Sequence, residues 1–114
     1  MTKEDNEILI TSLIDIAINS DGSHYDIAKV VQAIYKNECN DFYKLRNDLS
    51  ENIHKKFSER ACYFNNLCYN ENDEGKKEIY NKKALNANKI CIKLKNSGFK
   101  GSIIKECKYL FMNN

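Results

Sequence analysis

The chain contains no proline and no tryptophan, has only four glycines among 114 residues, and lacks any apolar stretch of membrane-spanning length. Each shortage excludes something. Without proline, and with glycine scarce, little interrupts a helix, so a sequence dominated by Lys, Asn, Glu, Ile and Leu is expected to be all-α. The longest apolar run, Ile8 to Ile18, is broken by Thr11, Ser12 and Asp15. It falls short of the roughly 20 apolar residues a spanning helix needs, so no membrane partner is expected. The opening stretch MTKEDNEILI is acidic ahead of its apolar part and has neither the basic n-region nor the cleavage site of a signal peptide. An intracellular, non-secreted protein is expected.

Cysteine is present but in no diagnostic pattern. Cys39, Cys62, Cys68, Cys91 and Cys107 are odd in number and show no C-x-x-C spacing, which reads as reduced thiols on helical, mostly core-facing positions. His54, Cys62 and Cys68 have the residue types of zinc ligands, but their spacing along one helix scatters them where four converging ligands are needed. No metal and no cofactor is expected.

What is present is helical periodicity with good punctuation. Thr2 is suited to cap a first helix, with Asp5 as the capping-box acid and Glu4, Asp5 and Glu7 where the helix dipole favours them. Ile10, Leu13, Ile14 and Ala17 mark its inner stripe, and Leu9, Ile16 and Ile18 widen it, so burial on more than one side is expected. NSDG ends this helix. Ser23 caps a second one carrying Ile27, Val30, Val31 and Ile34 and ending near Glu38. Asp41 caps a third over which Phe42, Leu45, Leu49, Ile53, Phe57, Ala61, Phe64 and Cys68 recur across about 27 positions, roughly 40 Å of helix. A kink within it is one possibility. NENDEG (70–75) reads as a loop. Ile79, Tyr80, Ala84, Ala87, Ile90, Cys91 and Leu94 define a fourth helix stopped by Gly98, and Ser102 caps a last one with Ile103, Ile104, Cys107, Leu110 and Phe111. The expected fold is one all-α domain over residues 1–114, a bundle of about five helices with a long antiparallel helical hairpin.

Charge is unevenly placed. Residues 1–75 carry 8 basic and 14 acidic side chains, whereas residues 76–114 carry 10 lysines against Glu78 and Glu106, so the two parts bear −6 and +8 within a net charge of +2. Lys76, Lys77, Lys83, Lys89, Lys93, Lys95, Lys100, Lys105 and Lys108 are dense enough for a positive face that would grip nucleic-acid backbone without reading bases. The same lysines read equally as a solvated helix surface, and arginine, the better phosphate fork, is missing from this part. His24 with Asp26 has the makings of a base oriented by a carboxylate, yet no nucleophile or second acid accompanies them, and the first turn of a helix is where such residues cap. Tyr35, Tyr43, Tyr63 and Tyr80 are candidates for stacking on bases, although their helical spacing also suits the edge of a core.

Three blocks carry a resemblance: SHYDIAKVVQAIYK (23–36), LRNDLSE (45–51), and NKICIKLKNSGFKGSIIKEC followed by YLF (88–111). In this order they resemble the helical region linking primase to helicase in poxvirus-type superfamily 3 primase–helicases of large DNA viruses. The family carries a Trp-rich, hairpin-like segment between the first two blocks, and here only NECNDFYK bridges them. Whatever that segment contacts does not carry over. The catalytic parts are missing too: Gly98 and Gly101 in GFKGSI have neither the spacing nor the lysine of a phosphate-cradling loop, and the acids of DGSHYD read as turn and cap residues. The resemblance therefore implies a non-enzymatic module of viral DNA replication, and the charge reading, which stands apart from it, expects that module to bind DNA backbone through the basic C-terminal part. The alternative the resemblance implies is an assembly module that docks to a primase–helicase or self-associates.

Overall fold

Local capping chemistry starts most of the helices. A computed structural model describes residues 2–36 and 41–112. Helix α1 (Lys3–Asn19) begins with a complete capping box: the Asp5 amide donates to Thr2 Oγ1 at 3.1 Å and the Thr2 amide donates to Asp5 Oδ2 at 3.4 Å. It ends in a tight reversal in which Asp21 and Gly22 have φ of 56° and 78° and the Gly22 amide donates to the Ala17 carbonyl at 2.8 Å. Gly22 is buried, and a Cβ there would sit 2.9 Å from Ile90 Cγ1, so both conformation and space require glycine.

Helix α2 (His24–Ile34) is capped by Ser23 Oγ, which accepts from the Asp26 amide at 3.1 Å. It stops at Ile34, earlier than the expected end near Glu38, which lies outside the described residues, as does Cys39. Tyr35 leaves helical geometry at φ −106° and ψ 27°, and its hydroxyl accepts from Asn52 Nδ2 at 3.4 Å, a tertiary contact that periodicity does not foresee.

Asp41 caps α3 (Phe42–Asp48), which passes through a π-helical turn (Leu49–Ile53) straight into α4 (His54–Asn70). The reason for that turn is in the spacing. Leu45, Leu49, Ile53, Phe57 and Ala61 recur every four residues, and in a regular α-helix each step of four rotates a side chain by about 40°. The wider π turn takes up part of that drift. All five are 2% exposed or less.

The expected NENDEG loop is shorter than its composition indicates. Asp73 accepts from the Lys76 amide at 2.9 Å and so caps α5 (Glu74–Lys93), which takes Glu74 and Gly75 into its first turn and leaves 71–73 as the connection. Helices α4 and α5 form the antiparallel hairpin: the Cys68 thiol donates to the Lys77 carbonyl at 3.4 Å near the loop, and the Cys91 thiol donates to the His54 carbonyl at 3.5 Å at the far end. Their interface is the most extensive between any two helices.

The last helix is also displaced from expectation. α6 (Ser97–Met112) starts at Ser97 because Asn96 Oδ1 accepts from the amides of Gly98 and Phe99 at 2.9 and 3.2 Å. Gly98 is therefore in its first turn and does not terminate the preceding helix. Ser102 lies inside α6, its hydroxyl donating back to the Gly98 carbonyl at 3.1 Å.

The result is an all-α bundle of one domain, five helical rods when α3, the π turn and α4 are taken as one, with no strand among the described residues. α2 packs against both α1 and α6, α6 also meets α3, and α5 touches α1 through Asn86 Nδ2, which donates to the Ile18 carbonyl at 3.3 Å. Ile18, Ile27, Val30, Val31, Leu49, Phe57, Ile90 and Ile103 form a single core. No helix among the described residues is long and apolar enough to cross a membrane.

Candidate nucleic-acid interface

Helix α5 turns Ala84, Ala87, Ile90 and Cys91 inward, and this decides where its lysines go. Lys89 and Lys93 are one turn apart on the opposite side and are exposed. Lys82, absent from the nine lysines singled out above, extends the same stripe one heptad toward the N-terminus and is also exposed; its spacing of seven from Lys89 was the available signal. Lys76 is exposed in the first turn, and Lys95 is exposed in the turn after α5. On α6, Lys105 and Lys108 are exposed on the side away from Ile103, Cys107 and Leu110.

The remaining three are partly engaged. Lys77 is half-buried, Lys83 places its ammonium 5.3 Å from the Phe64 ring centroid, and Lys100 Nζ donates to Ser50 Oγ at 3.0 Å. The nine residues thus do not form one uniform sheet of charge. The exposed ones divide by helix, and because α5 packs on α4 and α1 while α6 packs on α2 and α3, each stripe lies along its own helix.

None of these lysines is in an ion pair among the described residues, where Asp15–Arg60 is the single salt bridge. That pair is bidentate, with Arg60 Nε and Nη2 each 2.8 Å from an Asp15 oxygen. The guanidinium also lies 4.0 Å from the Tyr63 centroid and 4.9 Å from that of Phe64. The hydrogen bond to Asp15 holds the Arg60 pKa above its ordinary value despite partial burial. Neither residue stood out in the sequence, since a pairing across 45 positions has no local signature.

Where α5 ends and α6 begins, Lys93, Asn96 and Phe99 face Asp21, Ser23 and His24 across an open cleft of about 750 Å³. The His24 ring meets Phe99 edge-on at 4.9 Å and 81°, and Lys93 Nζ is 5.9 Å from the Phe99 centroid. His24 is thus a packing neighbour of Phe99. Of the four tyrosines, Tyr43 is 83% exposed, Tyr63 lies under Arg60, Tyr80 stacks on Phe64 with centroids 6.5 Å apart, and Tyr35 is bonded to Asn52.

The thiols differ in environment. Cys62 is exposed, Cys68 half-buried, and Cys91 and Cys107 buried, with burial pushing the Cys91 thiol pKa up. No three His, Cys, Asp or Glu side chains among the described residues are grouped to hold a metal ion. The chemistry the described surface offers is cationic: ammonium groups without carboxylate partners on α5 and α6, two helices consecutive in the chain. No protein-family model matches the chain, and no curated protein and no solved structure matches it.

Proposed function

We propose that this chain is a non-enzymatic module of viral DNA replication that holds the DNA backbone through the lysines of α5 and α6, working inside the host cell. The observation that carries the reading is the set of exposed ammonium groups without ion-pair partners, Lys82, Lys89 and Lys93 on α5 and Lys105 and Lys108 on α6. A lysine already neutralised by a carboxylate would release few counterions on meeting a phosphate, whereas these are free to do so. The resemblance of the 23–36, 45–51 and 88–111 blocks to the primase–helicase linker supplies the replication context. Backbone contacts of this kind position DNA without selecting sequence.

The test is the salt dependence of DNA affinity. With about five phosphate contacts, log K against log salt should fall with a slope of about −4 to −5 on duplex. Replacing Lys89 and Lys93 by glutamine should flatten that slope by about two. A flat salt response in the wild type, or no binding at low salt, refutes the reading.

A second reading, an assembly module that docks to a primase–helicase or to itself, is favoured by the outward side of α1, where Ile8 and Ile16 are more than half exposed. Capture of a full-length primase–helicase by the immobilised chain would support docking, and a monomer that ignores that enzyme would count against both forms of it.

A further inference from the structure

The exposed lysines of α5 are aligned, and their line ends in a cleft. Lys82, Lys89 and Lys93 lie within about 40° of one another around the helix axis. Lys93 closes this line and also lines the open cleft of about 750 Å³ where α5 gives way to α6. Its neighbour Ile92, 70% exposed, lines the same cleft. So do His24, which is exposed, and Phe99, which is half-buried, the two rings meeting edge-on at 4.9 Å. The cleft therefore combines a cation with two flat rings and an aliphatic side chain, in a volume that suits a small organic group.

A nucleotide presents the matching chemistry, an anionic phosphate joined to a flat base with an apolar face. We infer that the cleft takes one unpaired nucleotide of a DNA strand whose backbone lies along the α5 lysines, with its phosphate at Lys93 and its base against His24, Phe99 and Ile92. The inference rests on the DNA reading and adds to it the form of DNA that is held. Polarity sets the orientation: Asp21, the single acid in the lining, repels the phosphate and leaves Lys93 as its site. Stacking on a ring is tolerant of base identity, in keeping with a backbone grip that selects no sequence. A base inside a duplex is paired and stacked, and it must be extruded at a cost in free energy before it can enter such a cleft. The cleft is thus a site for single strands, and blunt duplex is held by the lysines alone.

Fluorescence anisotropy with a labelled single-stranded oligonucleotide, and with the same sequence as a blunt duplex, tests this on the variant H24A/I92S. Its affinity for the single strand should fall about 5- to 150-fold, the loss expected when one base loses its stacking surface. Its affinity for the duplex should be unchanged, and so should the salt slope on the single strand, because stacking releases no counterions. His24→Phe keeps a flat ring without the imidazole nitrogens and should retain the wild-type affinity for the single strand. Both positions are exposed, circular dichroism confirms the fold, and Ile92→Ser alone replaces the double variant if that one is not folded. A double variant that binds the single strand as the wild type does, or that loses affinity equally for both forms, overturns the inference and leaves the DNA reading standing. A wild type that binds neither form overturns both.

Discussion

Helices α2 and α5 put similar apolar side chains to different uses. In the 11 residues of α2, Ile27, Ala28, Val30 and Val31 are all completely buried, because α1 and α6 cover the helix from two directions. In the 20 residues of α5 the buried set is also four, two of them alanines, while Ile79, Leu85 and Ile92 are each more than half exposed. α5 lies mainly along α4, and small side chains allow that close approach. A helix covered on two sides contributes its apolar residues to stability. One covered mainly on a single side has apolar and charged residues left over for contacts with other molecules.

The difference is open to direct measurement. Ile27→Ala in α2 should cost about 2–5 kcal/mol in urea unfolding, the range for emptying a tightly packed aliphatic site. A cost below 1 kcal/mol would mean that α2 is less enclosed than its burial indicates. Gly22→Ala probes the junction of the two helices, since its Cβ would collide with Ile90 of α5 from a left-handed backbone, and a loss of about 1–3 kcal/mol is expected. In an Ile90→Ala background, which lacks the Cγ1 that the new Cβ meets, Gly22→Ala should cost less by the part due to collision and keep the part due to φ.

Arg60→Ala should cost about 1–2 kcal/mol, because a bidentate and partly buried pair is worth more than an exposed one and the guanidinium also covers Tyr63 and Phe64. The sign of its pH dependence follows from the raised pKa. The stabilisation that the shift represents is complete below arginine's ordinary value and is lost only as pH climbs through the still higher folded value, so it is constant through the neutral range. Ile92→Ser on the outer side of α5 should change stability by no more than about 0.5 kcal/mol, in contrast to Ile27. Alkylation mapped by mass spectrometry gives a residue-level check on the same contrast. Exposed Cys62 should label first, whereas Cys91, buried on the inner side of α5 with its thiolate disfavoured, should label only on unfolding.

Several features were legible because their causes lie within a few residues of one another. The Thr2–Asp5 box, the Ser23 and Asp41 caps, the left-handed Gly22 and the stripe from Leu45 to Phe64 all appear where local rules put them. The misplacements have causes of a different kind. Asn96 rather than Ser102 opens α6, because a helix entered through Gly98 is weak by propensity and gains its stability from the buried side that Ile103, Cys107 and Leu110 supply. Ile79 matched the stripe of α5 by position yet is 54% exposed, because periodicity locates a face without saying how wide its covering will be.

The candidate interface was legible as an excess of lysine and opaque as a surface. Counting charges identified the region, but which ammonium groups stay available depended on distant residues: Phe64 lies under Lys83, and Ser50 accepts from Lys100. Lys82 went unremarked because nothing distinguishes it in the sequence until the inward side of α5 is known.

By itself, then, the sequence determined that the chain is helical, where most helices begin and which residues form the core, since capping and amphipathic spacing act over one to four residues. Only tertiary packing decided that α5 leaves Leu85 and Ile92 uncovered, that α1 leaves Leu9 and Ile16 uncovered, and that Asp15 finds Arg60. Exposure is a property of which helices lie side by side, and that choice minimises uncovered apolar area over the whole chain at once.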